Sequence, residues 1–95
     1  MNSREIVFSP RARERMAEIA EYLYAQQLSN EFVAEYLQRF EDWLERILGE
    51  FPESGVLLPE YGPGVRRVVY QQYSLLYRVQ NDAIEILTVY RMNRP

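Results

Sequence analysis

Ninety-five residues, 47% hydrophobic and 26% charged, suffice for one domain with one modest core and are too few for two. The chain has no cysteine and no histidine, which removes disulfides, imidazole catalysis and the commonest metal ligand, so no metal site and no cofactor is expected. The formal charge of −3 is unevenly spread: residues 1–63 hold six arginines against twelve acids, residues 64–95 hold five against two, and lysine is absent.

No apolar run approaches the about 20 residues that a membrane span needs, and the start lacks a signal-peptide pattern. A cytoplasmic protein without a membrane partner is the expectation. Because every cation is arginine, the basic C-terminal third suits fixed, bidentate or stacked contacts with a defined partner surface.

In chain order, Arg4 to Phe8 alternates in facing and predicts a first strand that joins a C-terminal sheet. Ser9-Pro10 stops it and opens a helix, the hydroxyl capping free N–H groups and proline taking the first helical position. Ala12, Met16, Ile19 and Leu23 then form one apolar stripe, and the helix should end near Gln26 or Gln27. Ser29 or Asn30 can cap a second helix, whose stripe of Val33, Leu37, Phe40, Leu44, Ile47 and Phe51 is the strongest periodic signal in the chain. Tyr36, Trp43 and Leu48 widen that stripe, so this helix can touch both the first helix and a sheet. Two helices joined by so few residues are expected to pack on each other.

Pro52 to Gly64 holds three of the five prolines and three of the four glycines and reads as an irregular connection. Val56-Leu57-Leu58 meets Pro59 at once, which allows a plug at the core edge or a very short edge pairing.

Three antiparallel strands should follow. Asn81-Asp82 reads as a two-residue hairpin turn, which pairs Val79 with Ile84, Tyr77 with Ile86, Leu75 with Thr88 and Tyr73 with Tyr90. That face wants a core. The opposite face then carries Ser74, Leu76, Arg78, Glu85, Leu87 and Val89, with Arg91 one step on. If the preceding strand turns at Gln71-Gln72, Val65, Arg67 and Val69 join this second face while Arg66, Val68 and Tyr70 face the helices. An apolar patch of Leu76, Leu87 and Val89 ringed by arginine has the composition of a protein interface.

Catalytic constellations are scarce. The serines have no imidazole to activate them, the helical carboxylates are spaced for a solvated face, and Gly62-Pro63-Gly64 is no phosphate loop. The candidates that remain lie on the sheet.

Taken together, the residues resemble the RelE/ParE superfamily of bacterial toxins, nearest its ParE (plasmid-stabilisation) branch, over nearly the whole chain. The resemblance rests on Phe8-Ser9-Pro10 with Ala12, Ile19 and Tyr22-Leu23, Phe51-Pro52 with Gly55, and Val65-Arg66-Arg67. Tyr73, Leu76-Tyr77-Arg78-Val79, Ile86-Leu87 and Val89-Tyr90-Arg91 complete it. It implies a single α+β domain over residues 1–95, β-α-α-β-β-β, with an antiparallel C-terminal sheet and a helical hairpin packed on one face. It further implies the toxin of a type II toxin–antitoxin module, neutralised in a hetero-oligomer by a cognate ParD-like antitoxin, with DNA gyrase as target.

On that basis Arg66, Arg67, Tyr90, Arg91 and Arg94 are expected to meet the target, with their guanidinium groups held outward, and Leu76, Arg78, Leu87 and Val89 to meet the antitoxin. No residue is expected to be catalytic, because the RNA-cutting RelE-like relatives carry an arginine early in the third strand where this chain has Ser74. As a ribosome-dependent messenger-RNA endonuclease, the alternative, the chain would have to use Arg67, Arg78 and Tyr90. A degenerate toxin that only scaffolds an antitoxin complex is the third reading. Tyr90-Arg91 stands where ParE-like chains often show a histidine. The overall acidity implies that antitoxin binding relies on apolar contact plus local arginines, with modest salt sensitivity.

Overall fold

The computed structural model describes residues 4–91. Its elements in chain order are β1 (Glu5–Phe8), α1 (Pro10–Ala25), α2 (Asn30–Glu50), β2 (Val56–Leu57), a single 3-10 turn (Pro59–Tyr61), β3 (Arg66–Tyr70), β4 (Tyr73–Gln80) and β5 (Ala83–Arg91). The strands form one five-stranded sheet in the order β1-β5-β4-β3-β2, antiparallel throughout except that β1 runs parallel to β5. The helical hairpin covers one face. This is the α+β architecture expected from the sequence, with a two-residue edge strand added.

Both helices start as their sequences dictate. Ser9 Oγ accepts a hydrogen bond from the Ala12 amide at 3.1 Å with Pro10 in the first turn, and Ser29 Oγ accepts from the Phe32 amide at 3.0 Å. Ile19, Leu23, Val33, Phe40, Leu44 and Leu48 pack against Tyr73, Leu75, Tyr77, Ile84 and Ile86 in one core. Aromatic rings tie α2 to the far side of the sheet: Phe40 lies 4.8 Å from Tyr70, and Trp43 lies 4.9 Å from the same ring. Phe51 departs from the expected stripe. The helix ends at Glu50 and Phe51 adopts φ −128°, which swings its ring out to 60% exposure.

Val56-Leu57 forms the short edge pairing rather than a core plug, with Val56 opposite Arg67 and Leu57 opposite Arg66. The loop before it is held from below by a polar knot. Tyr77, wholly buried, donates its hydroxyl proton to the Pro52 carbonyl at 2.8 Å and accepts from the Gly55 amide at 2.9 Å. Arg66 donates to the Glu53 and Gly55 carbonyls at 3.2 and 2.9 Å. Gly55 has no room for a side chain: a Cβ there would sit 2.7 Å from both the Arg67 carbonyl oxygen and the Tyr77 hydroxyl.

The β4–β5 hairpin turns where expected, with Asn81 at φ 53°, and Val79↔Ile84 and Tyr77↔Ile86 pair as expected. Beyond Tyr77 the register slips by one residue. Leu76 faces Thr88, Leu75 faces Val89, Ser74 faces Tyr90 and Tyr73 faces Arg91, which leaves Leu87 as the extra residue of a β-bulge. The carbonyls at the bulge are met from far away in sequence. Ser9, the cap of α1, donates its hydroxyl proton to the Leu87 carbonyl at 2.9 Å, and its amide donates to the Ile86 carbonyl at 3.0 Å. The unpaired carbonyl of the bulge is thereby satisfied.

The slip exchanges the faces of four residues, Thr88 turning outward opposite Leu76. Val89 enters the core at 1% exposure, instead of lying on the outer face. Tyr90 moves outward opposite Ser74, and Arg91 comes to the helix side opposite Tyr73.

Candidate functional site

The face of the sheet away from the helices carries Arg67 and Val69 from β3, Ser74, Leu76 and Arg78 from β4, and Thr88 and Tyr90 from β5, as the cross-strand pairs Arg67↔Leu76↔Thr88 and Val69↔Ser74↔Tyr90 require. The Gln71-Gln72 turn confirms the register expected for the arginine strand. Arg78 Nε lies 3.2 Å from Glu85 Oε1, so this charge has a partner within the chain. Among the described residues Arg67 has no ion pair.

The apolar patch expected here is smaller than its residues suggested. Val89 is in the core, Leu76 is only 6% exposed, and Leu87 is partly buried, whereas Val69 is 40% exposed. Val65, also assigned to this face, is 1% exposed; its carbonyl accepts from the Leu58 amide at 2.8 Å, which draws the 58–64 connection over it.

A second locus lies on the helix side, where the end of β5 meets α1. There a cleft of about 260 Å³ is lined by Ile19, Tyr22, Tyr73, Val89, Arg91 and the exposed Arg15–Glu18 ion pair. The Arg91 guanidinium carbon sits 5.2 Å from the centre of the Tyr22 ring, and Nη2 donates to Gln72 Oε1 at 2.9 Å. The other glutamine of that turn, Gln71, accepts a hydrogen bond from the Tyr36 hydroxyl at 3.0 Å through Oε1 and holds a left-handed backbone at φ 53°. Burial pushes the Tyr73 phenol above its ordinary pKa of 10.0, with Arg91 acting against the rise and Tyr22 adding to it. Burial also raises Tyr36, helped by Tyr73 and Tyr70.

Comparison with known proteins turns this geometry into an assignment. The sequence matches the profile of the ParE toxin of type II toxin–antitoxin system, parDE, over residues 6–94. The chain belongs to the ParE toxin family. A search of curated proteins finds no match. Among solved structures, the fold of this ParE-family toxin is similar to that of a chain from a chromosomal ParDE TA system from P. aeruginosa. The TM-score is 0.71 and the identity 21%, covering 94% of this chain and 96% of that one. It is also similar to a chain of the toxin–antitoxin complex RelBE2 from Mycobacterium tuberculosis, at TM-score 0.63 and 20% identity, over 96% of this chain and 93% of that one.

The residues expected to meet the target are not brought together. Arg67 and Tyr90 share the outer face of the toxin, whereas Arg66 and Arg91 lie on the helix side, at different ends of their strands. Arg66 is turned inward onto two carbonyls instead of outward to a partner, because the loop after α2 needs donors. Arg94 lies outside the described residues. Arg67, Arg78 and Tyr90, the set considered for RNA cleavage, do share one face. Tyr22 and Gln72, which position Arg91, and Tyr73 opposite it were given no site role from sequence, although Tyr22 and Tyr73 carry the family resemblance. An aromatic residue off the stripe of α1, and a hairpin turn built of glutamine where glycine or asparagine is favoured, were the available signals.

Proposed function

We propose that this ParE-family toxin acts in the cytoplasm as a binding inhibitor of DNA gyrase, without chemistry of its own, and that a cognate ParD-like antitoxin neutralises it. The observation that carries the reading is the charge state of the outer sheet face. Arg78 is engaged by Glu85 at 3.2 Å, position 74 is a serine at 1% exposure, and Arg67 is left as the one cation of this face, among the described residues, without an ion pair. One free guanidinium supports a contact with a macromolecule far better than it supports the clustered positive charge that phosphoryl chemistry stabilises. The solved relatives whose descriptions name ParDE and RelBE2 toxin–antitoxin assemblies support an antitoxin partner. Leu87, Val69 and Arg78 are the outer-face groups we assign to that partner, with Leu76 beneath them.

The test is supercoiling of relaxed plasmid by purified gyrase with and without the toxin, run beside a translation extract probed for messenger-RNA cleavage. Loss of supercoiling with intact RNA is the expected result. The second reading, a ribosome-dependent nuclease, is favoured by the shared face of Arg67, Arg78 and Tyr90. Ribosome-dependent cleavage lost on Tyr90→Phe, with gyrase unaffected, would establish it instead.

A further inference from the structure

We infer that the cleft between α1 and the end of β5 is a preorganised anchor for a carboxylate-bearing, partly apolar segment of a partner protein, with Arg91 as its cation and Tyr22 and Gln72 as positioning residues. The inference rests on the reading of this toxin as a binding inhibitor and deepens it, by giving Arg91, expected from the sequence to meet the target, a protein carboxylate rather than nucleic acid as the group received.

Three features of the cleft carry it. Its cation is fixed before any partner arrives: the guanidinium is stacked on Tyr22 at 5.2 Å and tethered by Nη2 to Gln72 at 2.9 Å. A guanidinium has five N–H donors, and this tether uses one of them, so a fork remains that matches the geometry of a carboxylate. Holding it in place in advance removes much of the ordering cost that a free arginine incurs on binding.

Among the described residues, the one carboxylate that lines the cleft is already engaged. Glu18 lies 3.1 Å from Arg15, and no described acid forms an ion pair with Arg91. A negative group from outside therefore meets an uncompensated charge. The remaining lining is apolar or aromatic, with Ile19, Val89 and Tyr73 at 8%, 1% and 5% exposure and Tyr22 at 45%. Such a floor accepts an aliphatic or aromatic side chain beside the carboxylate. The combination of tyrosine and arginine around a small apolar pocket is typical of energetically dominant interface positions.

Nucleic acid fits less well. Binding a phosphate backbone draws on several cations spaced along a strand, and affinity falls steeply as their number drops. Here Arg15 is neutralised by Glu18, and the exposed face of α1 beside the cleft carries Glu14 and Glu21.

The backbone of the supporting turn agrees with a functional role. Gln71 holds φ 53°, a conformation that side-chain-bearing residues adopt at a cost, while the two glutamine amides of the turn secure Tyr36 and Arg91. A glycine or asparagine would make the same turn with less strain but could not reach both partners.

The test is titration of the 15N-labelled toxin, followed by amide and arginine side-chain shifts, with three probes: acetyl-Leu-Glu-Phe-amide, its Gln counterpart, and tetrathymidylate. The Glu peptide should shift Arg91 Nε–H and the amides of Tyr22, Gln72 and Val89. The Gln peptide and the Arg91→Gln variant should each bind at least tenfold more weakly, and Gln72→Ala several-fold more weakly with an unchanged unfolding midpoint. Equal binding of the two peptides, Glu-peptide binding unaffected by Arg91→Gln, shifts confined to other parts of the surface, or stronger engagement of the cleft by tetrathymidylate would each overturn the inference. No topoisomerase is present in this experiment. A toxin that binds the Glu peptide but leaves supercoiling untouched refutes the gyrase reading and keeps the anchor.

Discussion

Replacing Tyr77 with phenylalanine removes one oxygen from the centre of the molecule and should cost more than any other single-atom change. The hydroxyl bridges the Pro52 carbonyl at 2.8 Å and the Gly55 amide at 2.9 Å, and the residue is 0% exposed. In Tyr77→Phe the ring stays in place, so no cavity of consequence opens. What changes is that the buried Gly55 N–H and the Pro52 carbonyl lose their partner together. Each unsatisfied group costs about 1–3 kcal/mol, so the pair should cost about 3 kcal/mol. For a domain of this size that corresponds to a melting-point fall of roughly 12–24 °C.

The assay is urea unfolding followed by far-ultraviolet dichroism and by the fluorescence of Trp43, which lies 4.9 Å from Tyr70 in the same core. Tyr61→Phe serves as control, because that ring is 50% exposed and should change stability little. Arg66→Ala, which frees the neighbouring carbonyls, should combine with Tyr77→Phe non-additively, since both side chains hold the same loop. A loss below about 0.5 kcal/mol for Tyr77→Phe would mean that water replaces the hydroxyl, and the account of the knot would be wrong.

Gly55→Ala should be at least as damaging, because the new methyl would press on the β3 carbonyl of Arg67, which β-pairing prevents from moving; a shift of the urea midpoint measures it. Ser9→Ala removes both the α1 cap and the donor to the bulge, at a cost of about 1–2 kcal/mol by thermal unfolding, whereas Ser9→Asp should restore the cap alone. Tyr36, Tyr73 and Tyr77 all have phenol pKa values raised above 10.0, chiefly by burial. The unfolded chain then loses these protons first. Stability should be at its full value below pH 10 and fall as pH climbs from there through the raised values, with a shallower fall in Tyr77→Phe; melting points across pH 8–12 test the sign. Alanine at Arg91 and Arg94 should abolish growth arrest while sparing antitoxin co-purification, and unchanged arrest would remove the target role given to these arginines.

Periodicity and punctuation alone determined most of the architecture. The 9–10 and 29–30 helix starts, the stripes of α1 and α2, and the two hairpin turns are local chemistry: a hydroxyl that caps, a ring that fixes φ, side chains recurring every three or four residues. Which of Arg66 and Arg67 faces outward stayed conditional on where the preceding turn falls; the structure places it at Gln71-Gln72, and the strict alternation of a strand's side chains then decides the face.

The functional surface depended on something no local pattern displays. Ile84, Ile86, Thr88 and Tyr90 alternate without interruption in the sequence, yet the carbonyl of Leu87 is claimed by Ser9, 78 positions earlier, and the strand bulges there. One inserted residue sends Val89 into the core, Tyr90 to the open face, and Arg91 onto Tyr22. The fate of Arg66 was equally remote from its neighbours, since its partners are carbonyls of a loop that comes near only after α2 has packed. Side-chain chemistry is written residue by residue, but which side of a sheet presents it depends on register, and the register here shifts at a bulge whose carbonyl is held by the residue that caps the first helix.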